Sequence, residues 1–238
     1  MPLRIGLVGA GGNTKLRHIP GFRAEPGVEI VAVANRSRES SEAVAREFEI
    51  PRVGRSPEEV IADPGVDAVC IGTWPNMHRE YTIRALEAGK HVLCEARMAG
   101  TAEEAEDMLR AHERHPHLVA QLVPAPFDFR LGPTIMRLLR EGALGTVTEA
   151  TVTMLNGSGL NPETPIHWRQ QQRYSGRNVM TFGIYVEVVH RWLGETVRVV
   201  ADGAVVTGER PDGAGGRATV DVPDTYGVLA RMASGALV

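Results

Sequence analysis

Arg4-Ile5-Gly6-Leu7-Val8-Gly9-Ala10-Gly11-Gly12-Asn13 is the stretch on which the reading of this chain turns. A short apolar run stops abruptly on a cluster of glycines, and a helical stretch follows toward Phe22. An apolar segment this short, closed by a tight-turn signal, reads as a strand buried on both faces that leads straight into a helix. The same rhythm continues outward. Residues 28–34 are a second Val- and Ile-rich run, and 38–48 space Ala43, Val44, Glu47 and Phe48 along one buried helical side. Ser56-Pro57-Glu58-Glu59 is a capping box with proline at the first helical position. Residues 66–71 and 91–94 are strands, and 77–88 form a helix closed by Gly89. Thr101-Ala102-Glu103-Glu104 caps a helix running to about residue 115, and 118–123 are the next strand. Strands alternating with helices of this length predict βαβ units on a parallel sheet.

The rhythm changes around Pro124-Ala125-Pro126. Residues 131–141 read as a helix ending at Gly142, and 147–155 alternate as a strand with unlike faces would. Residues 179–193 predict a further helix, and 197–206 and 217–221 further strands. The expectation is α/β overall: a doubly wound parallel sheet over residues 1–123, then an α+β domain over 124–238. The second domain carries an open, mainly antiparallel sheet.

Composition narrows the function classes. The 238 residues are 43% hydrophobic and 23% charged, which excludes wholesale disorder and a coiled coil. A net charge of −3 gives no bulk reason to expect nucleic acid or an acidic membrane as a partner. No run is long and apolar enough to span a bilayer, and no leader pattern opens the chain, so the expected compartment is a reducing cytoplasm. Cys70 and Cys94 lie in apolar stretches, and no disulfide framework or metal-ligand spacing is present.

Gly9-x-Gly11-Gly12-Asn13 between a first strand and first helix is where a dinucleotide pyrophosphate would bind. That ligand needs close backbone approach and free amides at a helix start. The third glycine of the standard spacing falls on Thr14, so the fingerprint is incomplete and a bland tight turn also accounts for it. At the end of the second strand, where an acid usually meets the ribose hydroxyls, stands the neutral Asn35, followed by Arg36-Ser37-Arg38. Without an anion to repel it, a 2′-phosphate could be held there by Arg36 or Arg38 with Ser37. The expected cofactor is therefore NADP, with NAD possible. In the alternative, Asn35 only makes a turn and both arginines are solvated.

Three segments carry a resemblance: residues 5–11; Asp67-Ala68-Val69-Cys70-Ile71-Gly72-Thr73-Trp74-Pro75-Asn76-Met77-His78; and residues 85–95, ending Gly89-Lys90-His91-Val92-Leu93-Cys94-Glu95. With Gly145, Trp168-Arg169, Trp192-Leu193-Gly194 and Val222-Pro223-Asp224-Thr225, the chain resembles the Gfo/Idh/MocA oxidoreductase family over nearly its whole length. The resemblance implies a Rossmann domain followed by an α/β domain with an open, mainly antiparallel sheet. It implies hydride exchange between a nicotinamide and a sugar, polyol or related hydroxyl or keto substrate. It also implies a homodimer or higher homo-oligomer, formed through the second domain. By it, Thr73, Pro75, Asn76 and Glu95 join Gly9, Gly11, Gly12, Asn13, Asn35, Arg36 and Arg38 as cofactor-binding residues. Trp74 is unusually large for its place and would narrow the groove, and His18 reads as structural. Family members are longer, and this chain stops at Gly235-Ala236-Leu237-Val238, which predicts an incomplete or reduced second sheet.

The catalytic positions depart from the family pattern. Where the family carries Glu-Lys-Pro, this chain has Glu95-Ala96-Arg97, so Ala96 replaces the lysine that polarises the substrate oxygen. Where it carries Asp-x-x-x-His, this chain has Thr181-Phe182-Gly183-Ile184-Tyr185. Some members use tyrosine for that histidine, so Tyr185 is the expected acid/base. A phenol, ordinarily titrating near about pH 10, does this efficiently only beside a cation, and Arg97 is the candidate. Against this, Tyr185 could be an aromatic wedge at a helix–sheet seam. The whole chain could then be a nucleotide-binding sensor or partner subunit without turnover.

Overall fold

In a computed structural model the chain is described over residues 1–123, 129–157, 159–177 and 182–238, and it divides into two compact units, Met1–Val123 and Pro124–Val238. In the first unit, β1 (Leu3–Val8) is followed by a π-helical turn, Thr14–His18, and α1 (Ile19–Ala24). Then come β2 (Val28–Ala34), α2 (Arg38–Glu47), β3 (Arg52–Val53), α3 (Pro57–Ala62) and β4 (Ala68–Ile71). The unit continues with α4 (His78–Glu87), β5 (His91–Cys94), α5 (Ala102–Arg114) and β6 (Ala120–Leu122). All pairings are parallel, in the order β3-β2-β1-β4-β5-β6. This is the doubly wound order of dinucleotide-binding domains, with its switch point at the carboxyl ends of β1 and β4.

Both faces of the sheet are covered, so its central strands are apolar throughout. Val8, Val69, Ile71, Val92 and Cys94 pack under α3, α4 and α5 with Val60, Tyr81, Leu86 and Met108. Ile5, Leu7, Val33 and Cys70 pack on the other face with Ile19, Val44 and Ala45. Cys70 pairs in register with Leu93, and Ile71 with Cys94, so the two thiols point to opposite faces and stay free. Burial pushes Cys94 up to about 12 and Cys70 further still, which keeps both inert as nucleophiles.

The helix starts follow the capping signals with one twist. The Ser56 and Thr101 hydroxyls accept from the Glu59 and Glu104 amides at 3.3 and 3.2 Å. The two glutamates, however, turn to the amides one residue before each cap, Arg55 N at 2.5 Å and Gly100 N at 2.8 Å. In both helices the cap is joined to the preceding loop residue as well as to the first turn.

The second unit contains α6 (Gly132–Arg140), α7 (Gln172–Ser175), α8 (Phe182–Leu193), β7 (Thr196–Ala204), β8 (Glu209–Pro211), β9 (Arg217–Thr219) and β10 (Thr225–Met232). Its sheets are two antiparallel pairs, β10 with β7 and β8 with β9. Val189 and Leu193 of α8 cover Ala230 and Met232 of β10. Two expectations are corrected here. Residues 147–155 do not form a strand: they make a single bridge, Glu149 to Leu237, with Ala150 N donating to Leu237 O at 2.9 Å. Alternation supplied the faces, but a ladder needs a paired backbone along its length. Conversely, 225–232, where no strand was expected, is the longest pairing of the unit. The 124–126 boundary segment and the predicted start of α8 at 179–181 lie outside the described residues.

Candidate functional site

The carboxyl ends of β1, β2, β4 and β5 bring most of the candidate residues together within the first unit. Gly9 leaves β1 at φ 84°, and a Cβ there would sit 2.6 Å from Thr73 Cγ2 and 2.7 Å from Thr73 N. Only glycine combines that backbone with that approach. At Gly11 and Gly12, by contrast, a Cβ would meet nothing within 4 Å, so the loop borders open space on its outer side. Ala10 N donates to Asn35 Oδ1 at 2.6 Å, and Asn35 Nδ2 donates to Ser40 O at 3.2 Å. Asn35 thus ties the end of β2 to the glycine loop and to the first turn of α2. Ser37 is the cap of α2, its hydroxyl accepting from Ser40 N at 3.2 Å, and Arg38 pairs with Glu42 one turn on, at 2.8 Å. Arg36 is exposed and places its guanidinium 5.4 Å from the centre of the Trp74 ring.

Glu95, immediately after β5, is the charged centre of the site. Its side chain is only 14% exposed and its Oε1 faces both Asn13 Nδ2 and, at 2.5 Å, His18 Nε2. Burial alone would raise the Glu95 carboxyl, but the hydrogen bonds from His18 and Asn13 outweigh it and hold the group below its ordinary value. The carboxylate is therefore ionised at neutral pH, and the glycine loop, the turn after it and β5 share one polar junction. His18, expected to be structural, is part of this junction. Its signal in the sequence was its place on the first helical stretch one turn beyond Asn13.

Two loops flank this centre. Pro75 is buried and opens the short turn Pro75–Met77, while Asn76 is exposed on it. His78 is fully buried between them: Nδ1 lies 2.7 Å from Arg97 O and Nε2 lies 3.0 Å from Thr73 O. A neutral imidazole has one N–H, so it donates to one of these carbonyls at a time. Burial, the largest influence, keeps the ring below the ordinary histidine value although both carbonyls favour a proton. His78 fastens the loop after β4 to the segment after β5, a role its position beside Asn76 did not reveal. Thr73 Oγ1 is buried without a protein partner beside Gly9.

These features fit a dinucleotide. Open space beyond Gly11 and Gly12 suits a pyrophosphate against backbone amides, and in the same loop cluster the Thr73 hydroxyl is buried without a protein partner. Among the described residues, no group of three or more His, Cys, Asp or Glu could hold a metal ion. Among the same residues no helix is long and apolar enough to cross a membrane.

In the second unit, Tyr185 on α8 packs its ring 6.0 Å from that of Phe129, and Phe129 lies 5.9 Å from Trp192. Thr181, the first residue of the stretch that replaces Asp-x-x-x-His, lies outside the described residues. His167 caps the turn Trp168–Gln170, its Nδ1 accepting from Arg169 N at 3.3 Å.

A parallel sheet in this order, with a glycine loop at its switch point and an anionic glutamate beside it, defines a dinucleotide-binding fold. The chain belongs to the Gfo/Idh/MocA oxidoreductase family: residues 3–121 match its NAD-binding Rossmann fold and residues 134–238 its C-terminal domain. It is 28% identical over 265 residues to levoglucosan dehydrogenase of Pseudarthrobacter phenanthrenivorans, covering 99% of this chain and 66% of that protein. An oxidoreductase domain protein from Kribbella flavida superposes with a TM-score of 0.84 at 26% identity, over 100% of this chain and 66% of that one. Levoglucosan dehydrogenase in complex with NADH and levoglucosan gives 0.81 at 28%, over 100% and 65%. The chain thus spans about two thirds of the length of these relatives.

Proposed function

We propose that this chain is an NAD(P)-dependent oxidoreductase that transfers a hydride between a nicotinamide and a sugar, polyol or related hydroxyl or keto carbon. The observation that carries it is the junction of Asn13, His18 and Glu95 beside a glycine loop with open space at Gly11 and Gly12. In this reading Gly9, Gly11, Gly12 and Asn13 hold the pyrophosphate through the loop backbone. Thr73, Pro75, Asn76 and Glu95 border the nicotinamide half. The nicotinamide supplies the hydride chemistry when bound, and the protein supplies orientation and electrostatics. Tyr185 donates or accepts the proton at the substrate oxygen, and Arg97 is the cation that makes a phenol competent for it. The first unit is the dinucleotide-binding domain; the second is the substrate and dimerisation domain of a cytoplasmic homodimer or higher homo-oligomer. Sedimentation as a monomer at all concentrations would remove the assembly part.

Fluorescence titration with NADPH and NADH, followed by absorbance assays with a panel of keto-sugars and aldehydes, tests the reading. Binding and oxidation with at least one substrate are expected, and absence of binding by either nucleotide would sink it. Tyr185→Phe should then lower kcat by about 10²-fold or more, the usual contribution of a general acid/base, with the unfolding midpoint unchanged. Full turnover by that variant would remove the role of Tyr185.

The preference for NADP rests on the neutral Asn35 and on Arg36. Arg38 is already paired with Glu42, so Arg36→Ala should reduce the NADPH/NADH affinity ratio by about tenfold, the loss of one charge-assisted contact, and Arg38→Ala by much less. A ratio unmoved by either variant would remove the preference.

A second reading is favoured by one observation. Ala96 is an exposed methyl where the family carries its lysine, so that position polarises nothing. A nucleotide-binding sensor or partner subunit fits such a site. Tight NADPH binding without oxidation across the whole panel would establish it.

A further inference from the structure

We propose that the free edge of β7 is a self-complementary pairing surface. Two copies of this chain join β7 to β7 antiparallel about Val200, with Arg198 of each facing Asp202 of the partner subunit. The inference gives a strand and a register to the assembly proposed above and rests on that part of the reading alone. Among the described residues β7 pairs along one side only, with β10. Its other side is open, and Val197, Val199 and Val200 are 65%, 55% and 70% exposed. Edges that stay single are usually blunted by proline, lysine or a bulge. β7 contains neither proline nor lysine, and its pairing shifts register only at the Arg231–Met232 end.

The backbone fixes which residues can pair. On β10, Ala230 exchanges both of its hydrogen bonds with Val238, at 2.8 and 2.9 Å, on the side away from β7. Successive residues of a strand turn their N–H and C=O groups to opposite sides, so Leu229 turns to β7 and meets Val200. Val200 therefore turns back to β10, and Val197, Val199, Ala201 and Gly203 present theirs to the open edge. Accordingly the Gly203 N–H donates to Asp202 Oδ1 at 2.9 Å rather than to β10. A two-fold axis at Val200 sets Val199 opposite Ala201 of the partner subunit and Val197 opposite the partner's Gly203. All four are outward-turned, so the whole ladder can form. The side chains agree with the same register. Arg198, Val200 and Asp202 share a face with their cross-strand neighbours Arg231, Leu229 and Gly227. Arg198 thus lies opposite Arg231, a like-charge pair that a sheet tolerates poorly. Pairing brings Asp202 of the partner subunit to the other side of Arg198, at a non-hydrogen-bonded position where side chains are closest. The Gly203 amide passes to the partner's Val197 carbonyl, which releases the Asp202 carboxylate for that contact.

Sedimentation velocity of the full chain over a concentration series tests the pairing, and a monomer–dimer equilibrium is expected. Val199→Pro removes an outward-turned N–H, leaves the β10 ladder intact and should weaken the dimer by about tenfold or more. Arg198→Asp sets carboxylate against carboxylate twice in the dimer and should weaken it about tenfold. Adding Asp202→Arg to that variant should restore the dimer to within a few-fold of wild type. Leu229→Lys, on the sheet face and away from the edge, should change it little. At the axis the Val200 Cα atoms of the two copies lie about 4.5 Å apart, so Val200→Cys should cross-link under oxidised glutathione and Val197→Cys should not. The native thiols are buried and do not compete. A dimer that survives Val199→Pro, or that Leu229→Lys breaks while the edge variants do not, overturns the edge pairing alone. A monomer at every concentration overturns the assembly as a whole. Should Val199→Pro not fold, the charge exchange and the cross-link decide, and failure of the double variant to recover overturns the register.

Discussion

Asn35 occupies the position where a ribose-binding acid usually stands, and its amide oxygen turns inward to Ala10 N, shaping the glycine loop from behind. Residue type and position were legible in the sequence, but its partner was not, because that partner arrives from another strand. The same holds for Glu95, whose ionised state depends on Asn13 and His18 reaching it from the first βα turn. At the amino-terminal edge of the same sheet Asp67 receives three hydrogen bonds from Arg4: its amide and Nε at 2.9 Å and Nη2 at 2.7 Å. The Arg4 side-chain bonds, first among the causes, hold the Asp67 carboxyl well below the usual carboxylate range. With the folded value beneath the unfolded one, this contribution to stability is complete above about pH 4 and is lost as pH falls toward the folded value. Arg4→Met is therefore expected to lower the urea midpoint near neutral pH, with a deficit that shrinks as the pH drops below about 4. A deficit that stayed constant down to pH 3 would contradict the assignment.

Element boundaries in the first unit follow signals written in the chain: caps at Ser37, Ser56 and Thr101, and a positive-φ stop at Gly89. Removing one such signal has a bounded effect. Thr101→Ala should destabilise the protein by about 1 kcal/mol, read as a shift in the denaturant midpoint at constant slope. Gly9→Ala is different in kind, since the new methyl would meet Thr73 backbone and side chain in a left-handed conformation. It should destabilise further and abolish nucleotide binding, whereas Gly12→Ala, pointing into open space, should spare stability and weaken binding alone. Equal effects of the two alanines on the melting temperature would refute this division. In the second unit the signals are weaker. Tyr226, Val228, Ala230 and Met232 alternate inward along β10, but Gly227 breaks the run, and short antiparallel pairs are defined by their partners.

At the scale of the molecule the two units are stabilised differently. The first has apolar cores on both faces of one six-stranded sheet. The second relies on a small cluster around Val189, Leu193 and Met232, and on a buried cation. Arg210 on β8 is 2% exposed and donates to Asn161 O and Gly159 O at 2.7 Å each; among the described residues no carboxylate pairs with it. It organises the loop through backbone carbonyls, which in turn satisfy N–H groups of the buried guanidinium. Arg210→Met should make residues 156–165 a new site of thermolysin cleavage while amide-exchange protection of β1 and β4 stays at the wild-type level. Unchanged cleavage would show the loop to be held by other contacts.

By itself the sequence determined the parallel sheet, its helix boundaries and the glycine loop. Those depend on hydrophobic period, caps and backbone conformation, all properties of neighbouring residues. Tertiary structure alone decided that Asn35 serves the loop, that His18 joins Glu95, that His78 fastens two loops, that Arg36 meets Trp74, and that 225–232 rather than 147–155 forms a strand, paired along β7. Each of these is a hydrogen bond, ring contact or ladder between segments far apart in the chain. Its partners meet only once the fold brings those segments together, which no local pattern encodes.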